Sequence, residues 1–184
     1  MADSTNNQTS EKANLKDFAF GTQVATPSGA ASIEKMQVGD PVLAFSARLE
    51  SGKIILSSKD AKVLYSAGSN NYHITANMIY IDLNNDTRGG IICSPDQPFL
   101  LSNGKYARAQ NLYPGQSLVD KDGNAVEIAL VSIGQYIGGI HGIATDTPGL
   151  GPDGHLLLCN GVVMGDYAFQ IGFNSLSQDL KEIS

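Results

Sequence analysis

The sequence predicts an all-β domain, and three observations predict it. Short runs rich in Val, Ile, Thr, Tyr and Phe recur along the chain, and these residues suit a pleated, half-buried surface. Turn signals separate them: Pro27-Ser-Gly29, Asn103-Gly104, Pro114-Gly115, Asp120-Lys-Asp-Gly-Asn124 and Asn160-Gly161. Apolar spacing of the helical kind is scarce.

Residues 1–16 are polar and aperiodic and read as a flexible tail. From Asp17, Phe18, Phe20 and Val24 favour strand up to the turn at Pro27-Ser-Gly29. Ile33 and Met36 allow one helical turn, which Gly39-Asp40-Pro41 ends. Val42–Phe45 is a short strand, 46–52 a loop, and 53–65 a long strand with a bulge expected near Ser58. Residues 72–82 form another strand, and Ile91-Ile-Cys93 leads into the corner at Ser94. Ala125–Ile133 follows the Asp120–Asn124 turn, and 155–164 is a hairpin turned at Asn160-Gly161. Beyond Asp166 a short helix is expected from about Ser175, in an extension whose Phe169, Ile171 and Phe173 suggest packing on the body.

The chain has 184 residues, enough for one domain with a real core. Acidic residues outnumber basic ones by 18 to 12, and no basic cluster offers itself to phosphates, so a nucleic-acid partner is not expected. Cys93 and Cys159 do not make a disulfide scaffold and read as buried thiols. The N-terminus lacks the charged start and apolar run of a secretory signal, and no segment reaches a membrane span. A cytoplasmic protein without a membrane or cofactor partner is therefore expected.

The stretch around which the chain is organised runs from Ser94 to Val119: Ser94-Pro-Asp-Gln97-Pro-Phe, a tight turn at Asn103-Gly104, a second run and a turn at Pro114-Gly115. It resembles the central motif of the Hint fold, shared by hedgehog autoprocessing domains, inteins and bacterial intein-like domains. In that family the corner reads Thr-x-x-His-Pro-Phe. The opening Asp17-Phe-Ala-Phe-Gly-Thr-x-Val-x-Thr26 is similar to the family's Cys-Phe-x-x-Gly-Thr-x-Val-x-Thr. His155-Leu-Leu-Leu-Cys-Asn-Gly-Val-Val-Met-Gly-Asp166 resembles its closing stretch, which ends in His-Asn. The likeness spans roughly residues 17–166, and it implies a pseudo-symmetric antiparallel β domain of the Hint type followed by an extension, 167–184.

The resemblance also implies a role for each motif position. The opening Cys attacks the preceding carbonyl, the corner Thr and His hold and protonate that peptide, and the closing His assists cyclisation of the last Asn. Those positions here are Asp17, Ser94, Gln97 and Gly165-Asp166; of the catalytic set, only the strand histidine, His155, matches. A carboxylate is a far weaker nucleophile than a thiolate, and an amide does not transfer protons near neutrality. Loss of a general acid alone costs about 10²–10⁴ in rate. The expectation is a non-splicing module whose groove holds a peptide segment or protein partner.

Two rivals stand beside it. One is an autoprocessing or hydrolytic enzyme with altered chemistry at Asp17, Ser94, Cys159 and His155. The other is a metal or ligand site in which Asp17 and Asp166 pair their carboxylates. Cys159 faces either site or core, with Leu156–Leu158 favouring core. Cys93 points away from the site if Ser94 points into it. His155 is either a catalyst or an interior polar residue. His141 reads as a loop histidine, and His73 has no partner at metal spacing.

Overall fold

The structure, a computed structural model, describes residues 17–70, 74–84 and 89–182. The tail 1–16 and His73 lie outside the described residues. The chain begins with β1 (Phe18–Ala19), β2 (Gln23–Thr26) and β3 (Gly29–Ser32), then a 3₁₀ turn at Ile33–Lys35. Next come β4 (Pro41–Glu50), β5 (Lys53–Ser69), β6 (Ile74–Leu83), β7 (Ile91–Cys93), β8 (Pro98–Leu100) and β9 (Tyr106–Arg108). The series closes with β10 (Ser117–Val119), β11 (Ala125–Ile137), β12 (Ile140–Thr145), β13 (Leu156–Cys159), β14 (Val162–Gly165) and α1 (Tyr167–Gly172). The described strands form one curled antiparallel sheet in the order β10-β11-β6-β7-β1-β12-β5-β4-β13-β14-β8-β9, with β2 joining β13 and β3.

The fold is all-β, as the turn pattern predicts. Strand β4 runs on through the segment read as a loop: Ser46 to Glu50 pair with β5 down to Glu50↔Lys53, and only Ser51-Gly52 turn. β4 and β5 stay in register through Ser58, so no bulge sits there. The irregularity lies further on, where Thr145 pairs with Val63 and Ala144 with Tyr65, leaving Leu64 unmatched. His141 is on β12, not in a loop, and its Nε2 meets the Ser66 hydroxyl at 2.8 Å. The helix begins at Tyr167, not near Ser175, because Asp166 caps it.

The hairpin β13–β14 separates two cores, since successive side chains of a strand face opposite sides. Leu157, Cys159, Val162 and Met164 join the main core with Val24, Ile33, Val42, Ile81, Ile91 and Phe99. Leu156 and Val163 point the other way, into a second cluster with Phe45, Leu100, Tyr106, Phe169 and Phe173. Asn160 and Gly161 both take positive φ (45° and 83°), which is what a two-residue hairpin turn of this hand requires. The second cluster is thus built jointly by the sheet and the segment after Asp166. Among the described residues no helix is long and apolar enough to cross a membrane.

Candidate functional site

The corner is held by backbone bonds before any side chain acts. Ser94 N donates to the Asp17 carbonyl at 3.0 Å, which fastens the corner to the start of the described chain. Gln97 N donates back to the Ser94 carbonyl at 3.2 Å, while Ala109 N and Gln110 N bond the carbonyls of Gln97 and Pro95. Ser94 and Gln97 are buried on this frame.

The Ser94 hydroxyl donates to Asp96 Oδ1 at 3.1 Å. Gln170, on α1, reaches into the same corner: its Nε2 donates to Ser94 Oγ at 3.0 Å and to Asp96 Oδ1 at 2.8 Å. Gln97 Nε2 donates to the Gly165 carbonyl at 2.6 Å and to the Pro98 carbonyl at 3.2 Å. The amide at 97 therefore fixes the peptide that joins Gly165 to Asp166. Gly165 itself has no room for more: a Cβ there would lie 2.6 Å from the Phe169 ring and 3.1 Å from Pro98 Cγ.

Asp166 is wholly buried and fully engaged. Its Oδ1 accepts from Phe169 N at 2.9 Å, capping α1, and its Oδ2 accepts from Thr145 N at 2.8 Å and from His155 Nδ1 at 2.8 Å. The proton of that last bond sits on Nδ1, because the facing oxygens belong to a carboxylate. Burial works against charge on His155, but the hydrogen bond and negative charge of Asp166 outweigh it and raise the pKa above the ordinary value. His155 Nε2 has no hydrogen-bond partner, although the carbonyls of Gly149 and Thr147 favour its proton.

Asp17 behaves differently. Burial, reinforced by the charge of Asp96, lifts its carboxyl to about 6. Its electrostatic neighbour is thus Asp96, and the oxygens of Asp166 are spent on Thr145, Phe169 and His155. No hydrogen bond joins Asp17 to Asp166, whose oxygens accept from Thr145, Phe169 and His155, and among the described residues no group of three His, Cys, Asp or Glu could hold a metal ion. Because the unfolded Asp17 ionises near the ordinary aspartate value of 3.8, stability falls as pH rises from about 4 to 6 and is level above. Asp17→Asn is expected to match the parent at pH 3.5 and to exceed it by about 1–2 kcal/mol at pH 7, discounted for solvent screening. Urea midpoints at the two pH values check this.

Cys159 is at the bottom of the main core, bonded across to Val24, and does not face the corner. Burial, and then the charge of Asp166, push its thiol up, so it stays protonated and no nucleophile is available there. Cys93 is likewise a buried thiol with a raised pKa. Sequence reasoning missed three participants. Asp96 stands inside the quoted corner and was visible. Gln170 follows the cap residue Asp166 by one helical turn, a spacing that a capping signal at Asp166 would have exposed. Thr145 is reached only through the chain's return to β12. Tyr167 stacks on Tyr65 with centroids 4.4 Å apart and planes at 14°, and Tyr65 lies near enough to Asp17 to feel its charge.

The fold recurs in solved structures. A bacterial intein-like domain from Clostridium thermocellum matches with a TM-score of 0.63 at 21% identity, over 83% of this chain and 99% of that one. The chain has the Hint fold. The gp41-1 intein covers 82% of this Hint-fold chain and 98% of itself, with a TM-score of 0.57 and 22% identity. A DnaB intein from Synechocystis gives 0.59 at 13% identity, over 82% and 97%. No family model matches the sequence, and no curated protein matches it. The likeness is therefore one of fold, and the chemistry of this Hint centre rests on its own residues.

Proposed function

We propose that this chain is a non-splicing Hint module that holds a peptide segment in the corner where its structural relatives place their reaction. One observation carries the reading: Gln170, from the chain's own helix beyond Asp166, is bonded to Ser94 and Asp96 in that corner. A segment destined for release has no reason to be anchored on both sides. This one is fixed by Phe169 and Phe173 in the second core and by Gln170 in the site. The residues present also favour holding over cutting. Gln97 donates hydrogen bonds without titrating, and Asp166 is a helix-capping, bonded carboxylate in place of a cyclising amide.

The test has two arms on the full chain. Intact mass followed over days, with and without thiol or hydroxylamine, is expected to stay constant; a cut beside Asp17 or Asp166 would refute the reading. A labelled peptide of residues 165–182 is expected to bind the Phe173→Ala variant, whose own segment is loosened, and not the parent. Failure of the peptide to bind that variant, with the fold intact by circular dichroism, would equally remove the holding role.

A further inference from the structure

The two ends of the curled sheet are finished differently. At β9 the chain covers its own edge: Tyr106 bridges to Lys181 in parallel, and Glu182 N donates to the Tyr106 carbonyl at 2.9 Å. At the other end β10 pairs β11 only through Ala125, Val126 and Glu127, and Ile128 adds backbone bonds to Gly115 and Gln116. Beyond that point, among the described residues, no further strand pairs the outer edge of 129–137; the Tyr80 hydroxyl, passing over Gly134, donates to the Gln135 carbonyl at 2.6 Å, and no backbone group is bonded there.

That edge reads Ala129-Leu-Val-Ser-Ile-Gly-Gln-Tyr-Ile137, with no charge and no proline. Proteins normally protect a long edge with Lys, Pro or an inward charge. Its large side chains also lie open: Leu130 is 50% exposed, Ile133 66% and Ile137 65%, and Ile74, paired to Ile137, is 60% exposed. Unpaired N–H and C=O groups beside such side chains are a template for another strand.

We propose that the free edge of β11 pairs, antiparallel and about a two-fold axis, with the same edge of a second copy of this chain. Three features select a copy as the occupant. The chain carries a net charge of −6, so two copies repel wherever their acids meet, and 129–137 is an uncharged strip on both. A two-fold through Ile133 sets the run against itself, with Ile133 opposite its own copy and Leu130 opposite Tyr136, apolar to apolar. Two such strands with their flanking isoleucines bury on the order of 1,000 Å², where specific interfaces begin. The contact lies outside the corner described above and does not depend on what that corner holds.

Sedimentation of the full chain from about 1 to 200 µM is expected to show a reversible monomer–dimer equilibrium in the micromolar range typical of small interfaces. Ile133→Lys, at an exposed position, should weaken it roughly tenfold or more by placing two ammonium groups across the axis. Val38→Lys, at a turn residue 64% exposed, should leave it unchanged. Amides of 129–137 should gain hydrogen-exchange protection as the parent concentration rises. A parent that stays monomeric throughout overturns the proposal. So does a dimer that both lysines affect equally or that Ile133→Lys leaves intact, with circular dichroism confirming that each variant is folded.

Discussion

Asp166→Ala is expected to lower stability by about 3–5 kcal/mol, the usual cost of removing one partner from a buried hydrogen-bonded pair. For a chain of this size that is roughly a 10 °C fall in Tm. The carboxylate caps α1, satisfies Thr145 N and faces His155 Nδ1, so its removal leaves two buried donors and the imidazole without their acceptor. The pH dependence carries a sign. His155 has a folded pKa raised above its ordinary value, so the stability it gains from Asp166 is fully present below about 6.5 and is lost as pH rises through the folded pKa. The gap between parent and variant should therefore be widest in mild acid and narrow towards alkaline pH. Thermal melts at pH 5.5 and 9 measure it, and a gap that widens with pH would show that His155 is not the linked group.

Phe169→Ala is expected to cost about 3–5 kcal/mol, in the range for a fully buried aromatic. Phe169 is wholly buried, edge-on to Tyr106 with centroids 5.2 Å apart, and it touches Phe173 at 5.8 Å. The loss should be accompanied by faster exchange of the amides in 167–176, because the helix spans only Tyr167–Gly172 and cannot hold by propensity alone. Ile171→Ala, on the exposed face of the same helix, should shift stability by less than about 0.5 kcal/mol. If the two alanines proved equivalent, the segment would not be anchored as described.

The sequence was most legible where the backbone itself demands particular residues. The turns at Pro27-Ser-Gly29, Asn103-Gly104, Asp120–Asn124 and Asn160-Gly161 all join strands where expected, because glycine and asparagine tolerate conformations that other residues resist. It was less legible where polar residues alternate on an open strand. Arg48, Leu49 and Glu50 are exposed and read as loop, yet they pair regularly with β5. The helix start was missed because Asp166 was weighed as a reacting group and not as a cap.

In the site, local order decided what could be foreseen. Ser94, Asp96 and Gln97 are neighbours in sequence, and their corner was recognisable. The bonds that give it its present character, from Gln97 to Gly165 and from Gln170 to Ser94, join residues 68 and 76 positions apart. No periodicity announces such partners. That an amide stands at 97 is plain in the sequence, but what it holds requires the fold.

The crowding at Gly165 limits what can be engineered there. A histidine introduced at that position would collide with Phe169 and Pro98 before it could take up any proton. Room for it would come only from shrinking the aromatic anchor, at a cost in stability. The docked tail thus works as a lock: while Phe169 sits over that glycine, no single substitution at 165 supplies a working imidazole.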